Sequence, residues 1–156
     1  MKIFKKLLGT LGTLGIIGIL AVNVYPIFMG GKIYQIQTGS MEPTIKTGSY
    51  VLIRPTEEIK TGQVIMFDQH GSAVPIVHRV VAVNAGGKTL TTRGDANGAD
   101  DASINRSQVR GIVADVFNQY GVYHRPYQIG AGIFSLALVG LSIIKTSKKG
   151  RHKKDA

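Results

Sequence analysis

IVHRVVAVN, residues Ile76–Asn84, is the stretch that indicates the fold of the central part of this chain. Most of its residues are β-branched, and such side chains favour strands because they pack well on a pleated surface. Side chains alternate along a strand, so His78 is expected on the same face as Ile76 and Val80. The stretch therefore predicts a strand that carries His78 rigidly among apolar neighbours.

Similar short runs lie on both sides of this strand. They are separated by turns rich in Gly, Asn, Asp and Lys, which is typical of strands joined by tight connections. The further predicted strands are Tyr50–Arg54, Val64–Phe67, Thr89–Thr92 and Gln108–Phe117. Together they predict a mainly β domain of roughly 95 residues, which is long enough to bury a modest core.

Two long apolar runs flank this β-rich part. Leu7–Phe28 contains 22 residues and Tyr127–Ile144 contains 18, and neither run holds a charged side chain. A membrane-spanning helix needs about 17 to 25 such residues, although a buried core helix is the alternative, more so for the second run. We expect transmembrane helices over residues 7–28 and 127–144, with a domain over 29–126 between them. The first run exceeds the apolar part of a removable signal peptide, so it is interpreted as a retained signal-anchor.

The basic residues are concentrated outside the two runs. Of a formal net charge of +10, residues 1–6 and 145–156 hold +8, from nine basic residues and one acid. The positive-inside rule then places both termini in the cytoplasm and the domain outside, as in a multi-pass protein of the cell membrane. A basic tail can also bind nucleic acid, but beside an apolar span an anionic lipid bilayer is the simpler partner, and no nucleic acid is expected. The chain has no cysteine, which excludes disulfides and thiolate metal sites.

Three blocks carry residue types suited to nucleophilic catalysis. Ser40 lies in TGSMEPTI (Thr38–Ile45), His78 lies on the predicted strand, and RGDANGADD (Arg93–Asp101) follows another strand. A serine hydroxyl is a weak nucleophile until an imidazole takes its proton, and a carboxylate orients that imidazole. Spacing alone leaves non-catalytic interpretations of these residues open, because Ser40 could be a turn residue and His78 a structural residue. The other histidines, His70, His124 and His152, lie in a polar turn, beside the second run and in the basic tail.

The aspartates of the third block have alternatives of their own. The simplest interpretation of Asp95, Asp100 and Asp101 is a solvent-exposed acidic turn without a catalytic role. A calcium loop is disfavoured because the ligand spacing does not fit and no glutamate follows at the twelfth position. Asp95 could pair with Arg79 or Arg93 at the strand end, and Asp101 lies in a Gly-containing loop that can fold back towards the strand of His78; the residues alone leave open which of the two orients the histidine.

Four motifs in this order resemble the boxes of type I signal peptidases. They are GSMEPT (Gly39–Thr44), TGQVIMF (Thr61–Phe67), IVHRVVAV (Ile76–Val83) and RGDANGADD (Arg93–Asp101). His78 stands where most bacterial members carry a lysine, so the chain resembles the endoplasmic-reticulum-type Ser/His branch found in archaea and some Gram-positive bacteria. The resemblance implies a signal-peptidase-like, β-rich catalytic domain at a membrane, with no metal or organic cofactor.

The same resemblance implies roles for individual residues. Ser40 matches the nucleophile, His78 the general base, and Asp95 and Asp101 the two aspartates of the last box. Thr38 stands where the family often has serine, and its hydroxyl could assist the Ser40 backbone N–H in binding the oxyanion. The implied activity is a membrane-bound serine endopeptidase that removes signal peptides from secretory precursor proteins, with possible contact to the secretion machinery.

Two rival functions are distinguishable in principle. A self-cleaving protease of the repressor type has a similar catalytic fold, but it would carry a DNA-binding domain and usually a lysine base. A catalytically inactive membrane scaffold or accessory protein of the same fold is the other alternative. Loss of precursor processing in Ser40→Ala would separate the enzyme from both.

Overall fold

A computed structural model describes residues 2–144 of the chain. Seven strands form one antiparallel sheet with the order β1-β2-β7-β3-β4-β5-β6. The strands are β1 (Lys32–Gln35), β2 (Tyr50–Arg54), β3 (Val64–Phe67), β4 (Ile76–Asn84), β5 (Thr89–Arg93), β6 (Ile104–Asn105) and β7 (Val109–Phe117), with short 3₁₀ turns at Ala85–Gly87 and Arg106–Gln108. The helices are α1 (Lys2–Phe28) and α2 (Arg125–Ile143).

The expected β-rich domain between two apolar helices is confirmed. β2, β3 and β4 have the predicted bounds, whereas β1 and the two-residue β6 were not predicted. Both lie at the ends of the sheet, where a strand has a partner on one side only. Such short edge strands carry a weak sequence signal because pairing with the neighbour, more than propensity, makes them extended.

Apolar side chains cover both faces of the sheet. One core cluster contains Ile36, Met41, Ile45, Val51, Ile53, Met66 and Val77, and the other contains Ile59, Ile65, Phe67, Val80, Leu90 and Ile104. On β3, Met66 belongs to the first cluster while its neighbours Ile65 and Phe67 belong to the second. Strands buried on both faces show continuous apolar runs, which explains the sequence VIMF.

The alternation expected for β4 holds only for its first part. Val80 pairs with Thr92 and Ala82 pairs with Thr91, so a bulge lies between Val80 and Ala82. A β-bulge adds one residue to one strand and changes which face the later side chains occupy. His78 precedes the bulge and keeps the expected face.

The chain divides into two compact units, residues 21–127 and a second unit that includes 2–20 and 128–144. In the second unit, small residues let α1 and α2 approach closely: a Cβ added to Gly12 would lie 2.6 Å from the Ser135 carbonyl oxygen. Gly9 adjoins Ser142 and the Lys5 Nζ donates to the Ile144 carbonyl, so the two helices run antiparallel.

Both helices are long and apolar enough to cross a membrane. At about 1.5 Å per residue, α1 spans about 40 Å and α2 about 28 Å, close to or above the roughly 30 Å hydrocarbon core of a bilayer. Helix α1 begins at Lys2, five residues before the expected span. The predicted basic tail, residues 145–156, lies outside the described residues.

Candidate active site

His78 is the third residue of β4 and it packs against apolar side chains. The residue is 7% exposed, it pairs with Ile65 across the sheet, and its ring meets Phe67 edge-on at a centroid distance of 6.4 Å. Ile65 and Phe67 are both buried. Because the imidazole stands on a paired strand between packed side chains, its position is set by the sheet rather than by a loop.

Asp101 contacts this imidazole. His78 Nδ1 lies 2.6 Å from Asp101 Oδ2. The Thr92 hydroxyl donates to the same oxygen at 2.7 Å, and the Asp101 N–H donates to the Thr92 carbonyl at 2.7 Å. An Nδ1–H that donates to a carboxylate leaves Nε2 as a proton acceptor, which is the tautomer a general base requires.

Asp95 has a different partner. Arg79, the residue after His78, donates to Asp95 through Nε at 2.8 Å and through a terminal nitrogen at 2.6 Å. Arg79 also donates to the Gly62 carbonyl at 2.8 Å. The hydrogen bonds from Arg79 lower the pKa of Asp95, aided by a hydrogen bond from the Thr44 hydroxyl and opposed by burial. Asp95 is thus held as a carboxylate against Arg79 of β4.

Asp100 points elsewhere, as expected for a neighbour of Asp101. Its side chain is half exposed and pairs with Arg93 at 3.2 Å. Each of the three aspartates therefore has its own partner: Asp95 pairs with Arg79, Asp100 with Arg93 and Asp101 with His78. Among residues 2–144, no group of three or more His, Cys, Asp and Glu side chains is arranged to hold a metal ion.

Ser40 lies in a segment that the core holds in place. Met41 and Ile45, on either side of the turn, are each 1% exposed and belong to the first core cluster. The exposed Glu42 accepts the Thr47 backbone N–H at 3.1 Å and the Thr47 hydroxyl at 2.9 Å, and these bonds lower the pKa of Glu42. Met41 and Ile45 therefore anchor the segment of Ser40 in the core.

The loop 94–101 joins the serine segment to the histidine strand. The Ala96 N–H donates to the Ser40 carbonyl at 2.9 Å. A Cβ added to Gly94 would lie 2.6 Å from the same carbonyl oxygen, so only glycine permits this approach. One loop thus contacts Ser40 through its backbone and His78 through Asp101.

A cleft of about 430 Å³ opens beside Ser40. Thr38 and Ser40 line it, together with apolar side chains that include Ile36, Met66 and Val77. An extended peptide could lie here, with its small side chains over the apolar part and a carbonyl next to Ser40. A larger cavity, of about 600 Å³, is lined mainly by Lys2, Lys5, Lys6 and neighbouring residues of α1, and it contains no histidine or carboxylate.

Among the described residues, no histidine is part of the lining of this cleft. His70 lies in an exposed turn. His124 packs against Tyr120 and, at a centroid distance of 4.7 Å, against Tyr127. His152 lies outside the described residues. The sequence predicted Thr92 only as part of a strand and did not identify it as a residue of the site. One of three threonines in TLTT gives no signal for a contact with Asp101.

Comparison with known proteins identifies one family whose model matches more than half of the chain. The family model described as signal peptidase, peptidase S26, matches residues 8–110, which include Ser40, His78, Asp95 and Asp101. The chain belongs to this family.

Curated relatives named as signal peptidase subunits match just under half of the chain. Signal peptidase complex catalytic subunit sec11 of Pyrenophora tritici-repentis is 37% identical over 76 residues, which is 46% of this chain and 44% of the relative. The SEC11 subunit of Tuber melanosporum is 34% identical over 84 residues, and sec11 of Sclerotinia sclerotiorum is 38% identical over 77; both matches cover 46% of this chain and 45% of the relative. The matches thus span less than half the length of these signal peptidase subunits.

Proposed function

We propose that this chain is a membrane-bound serine endopeptidase that removes N-terminal signal peptides from secreted precursors. The observation that carries the proposal is the loop 94–101, which contacts Ser40 and His78 at once. Membership of the signal peptidase family supports the same reaction class, acyl transfer from a peptide bond. Relatives named as catalytic subunits of a signal peptidase complex support the choice of substrate.

In the proposed mechanism, Ser40 Oγ attacks the carbonyl carbon of the cleavage site. His78 Nε2 accepts the hydroxyl proton, and Asp101 stabilises the imidazolium that forms. The negative oxygen of the tetrahedral intermediate accepts hydrogen bonds from the Ser40 backbone N–H and the Thr38 hydroxyl. The imidazolium then protonates the leaving amine, and a water molecule deprotonated by His78 hydrolyses the acyl-enzyme.

Asp95 is assigned a supporting role in this proposal. Its bonds to Arg79 hold the loop 94–101 on the strand that carries the base, and Ala96 of the same loop bonds the carbonyl of the nucleophile residue Ser40. Because reacting groups must be aligned within about 0.5 Å, a fixed distance between these two segments is needed for turnover. Asp95 therefore acts on the site's shape and touches no reacting atom.

We further propose that α1 and α2 span the cell membrane with both termini in the cytoplasm. The antiparallel helix pair brings Lys5 and Ile144 to one end. In the sequence, nine of the 19 basic residues precede the first apolar run or follow the second, which favours a cytoplasmic location for both termini. The β domain is then extracytoplasmic, and Met29 to Ser40 form the short connection from the first span to the nucleophile. A signal peptide held in the bilayer would present its cleavage site near this domain, which favours reaction through positioning. Contact with a secretion complex belongs to the same proposal.

The test is precursor processing by the full-length protein in detergent. The wild type should release a mature protein whose new N-terminus, read by mass spectrometry, follows a small-x-small site. Ser40→Ala and His78→Ala should abolish release, whereas Ser107→Ala, an exposed serine remote from the cleft, should process normally. Undiminished processing by Ser40→Ala would show that the chain is not the serine peptidase, as expected of an inactive scaffold copurified with an active protein.

A further inference from the structure

Thr92 is an unusual residue for the interior of this sheet. Only four buried polar or charged side chains occur among residues 2–144: Ser49, His78, Thr92 and Ser135. Thr92 is 0% exposed. Burying a hydroxyl costs free energy unless it is hydrogen-bonded, so the partner of this hydroxyl indicates why the position is polar.

That partner is the carboxylate which contacts His78. The Thr92 hydroxyl and His78 Nδ1 both bond Asp101 Oδ2, at 2.7 and 2.6 Å. The Thr92 carbonyl also accepts the Asp101 backbone N–H. Thr92 therefore holds Asp101 at two points, through the main chain and through the carboxylate.

Strand pairing explains how Thr92 reaches this place. Thr92 is opposite Val80 on β4, and directly opposed residues share a face of the sheet. Val80 shares its face with His78, two residues earlier. Thr92 and His78 are thus diagonal neighbours on adjacent strands. Asp101, in the loop that follows β5, contacts both of them.

We propose that Thr92 is a positioning residue of the peptidase, acting through Asp101 on His78. This inference rests on the proposed function. Asp101 belongs to a loop and its side chain is 28% exposed, so its carboxylate could otherwise turn towards water. The Thr92 hydroxyl keeps Oδ2 directed at Nδ1, and Nε2 is thereby left as the proton acceptor that the proposed mechanism needs. Thr92 touches no substrate in this arrangement, so its effect is on the chemical step and not on precursor binding.

Three variants of the full-length protein in detergent test this assignment. Thr92→Val keeps the side-chain shape without the hydroxyl, and Thr92→Ser keeps the hydroxyl. Thr91→Val is the matched control, because the adjacent hydroxyl bonds Asn84 and Ser103 instead. Loss of one hydrogen bond to a charged group predicts that Thr92→Val lowers kcat by about ten- to a hundred-fold with KM unchanged. Thr92→Ser and Thr91→Val should retain a kcat close to that of the wild type.

A double-mutant cycle with Asp101→Asn shows whether Thr92 acts through Asp101. If it does, Thr92→Val should lower kcat in the wild type but not in the Asp101→Asn background. Equal losses in both backgrounds, a wild-type kcat in Thr92→Val, or failure of Thr92→Ser to restore kcat would each overturn the assignment. If Thr92→Val does not fold, Thr92→Ala replaces it as the variant without a hydroxyl. Its kcat should then be lower than that of Thr92→Ser, and equal values would overturn the assignment. Absence of Ser40-dependent cleavage by the wild type would instead refute the proposed function.

Discussion

Replacing Asp95 by asparagine tests how the strand of His78 is joined to the segment of Ser40. In the wild type, Asp95 accepts two hydrogen bonds from Arg79, and Ala96, the next residue, bonds the Ser40 carbonyl. Asparagine can still accept one bond from Arg79, but it loses the charge and the paired geometry. Arg79 then keeps its bond to the Gly62 carbonyl and becomes a partly buried cation without its counter-ion.

The cost can be worked from the exposure of the two side chains. The Asp95 side chain is 15% exposed and that of Arg79 is 32% exposed. A hydrogen bond to a charged group contributes about 1.5–3 kcal/mol, and screening by water at the exposed end of Arg79 favours the lower part of that range. We expect the free energy of unfolding to fall by about 2 kcal/mol, which for a domain of this size lowers Tm by about 10 °C.

The effect should depend on pH in a defined direction. Arg79 lowers the pKa of Asp95 in the folded state, whereas an unfolded aspartate has a pKa of about 3.9. A depressed folded pKa gives stability that is fully present above the unfolded value and is lost as pH falls through the folded value. The Tm difference between wild type and Asp95→Asn should therefore be complete near neutral pH and shrink below about pH 4.

The assay is thermal unfolding in detergent, followed by near-ultraviolet circular dichroism. The chain has six tyrosines and no tryptophan, and Tyr34 and Tyr50 on β1 and β2 report on the β domain. Asp100→Asn is the matched control, because its pair with Arg93 is half exposed and should contribute little. A Tm for Asp95→Asn equal to that of the control near neutral pH, or a difference that persists in acid, would refute the argument.

Three further outcomes are expected. Asp101→Asn should lower kcat by about 10³- to 10⁴-fold at a near-normal Tm, because the amide favours the wrong tautomer of His78. If Asp101→Asn cleaves normally while Asp95→Asn is inactive at an unchanged Tm, then Asp95 is the residue that orients His78. Gly94→Ala should lower kcat about a hundred-fold by displacing the Ser40 carbonyl, which its methyl would otherwise meet at 2.6 Å, and wild-type turnover would contradict this. A reporter at the C-terminus should be cytoplasmic and one inserted at Gly86 external; an external C-terminus would mean that α2 does not span.

The elements that sequence predicted well have local causes. The β-branched runs of β2, β3 and β4 gave the correct bounds, because their propensity and their burial on both faces act in the same direction. The lengths of the two apolar runs likewise identified α1 and α2. The short strands β1 and β6 depend on a neighbour for their extended form and were missed.

The amino-acid sequence by itself determined the candidate residues: a serine after the first apolar run, a histidine on a strand, and three aspartates in one loop. It could not decide which aspartate faces which partner, because Asp95, Asp100 and Asp101 share nearly the same local composition. The tertiary structure decided that Asp95 bonds Arg79 and Asp101 bonds His78. The reason is that strand register and the path of a loop are set by contacts between residues far apart in the chain, and these contacts leave no periodic pattern. Thr92 shows this most clearly. Its hydroxyl donates a hydrogen bond to the Asp101 carboxylate only because β5 pairs with β4 in this register.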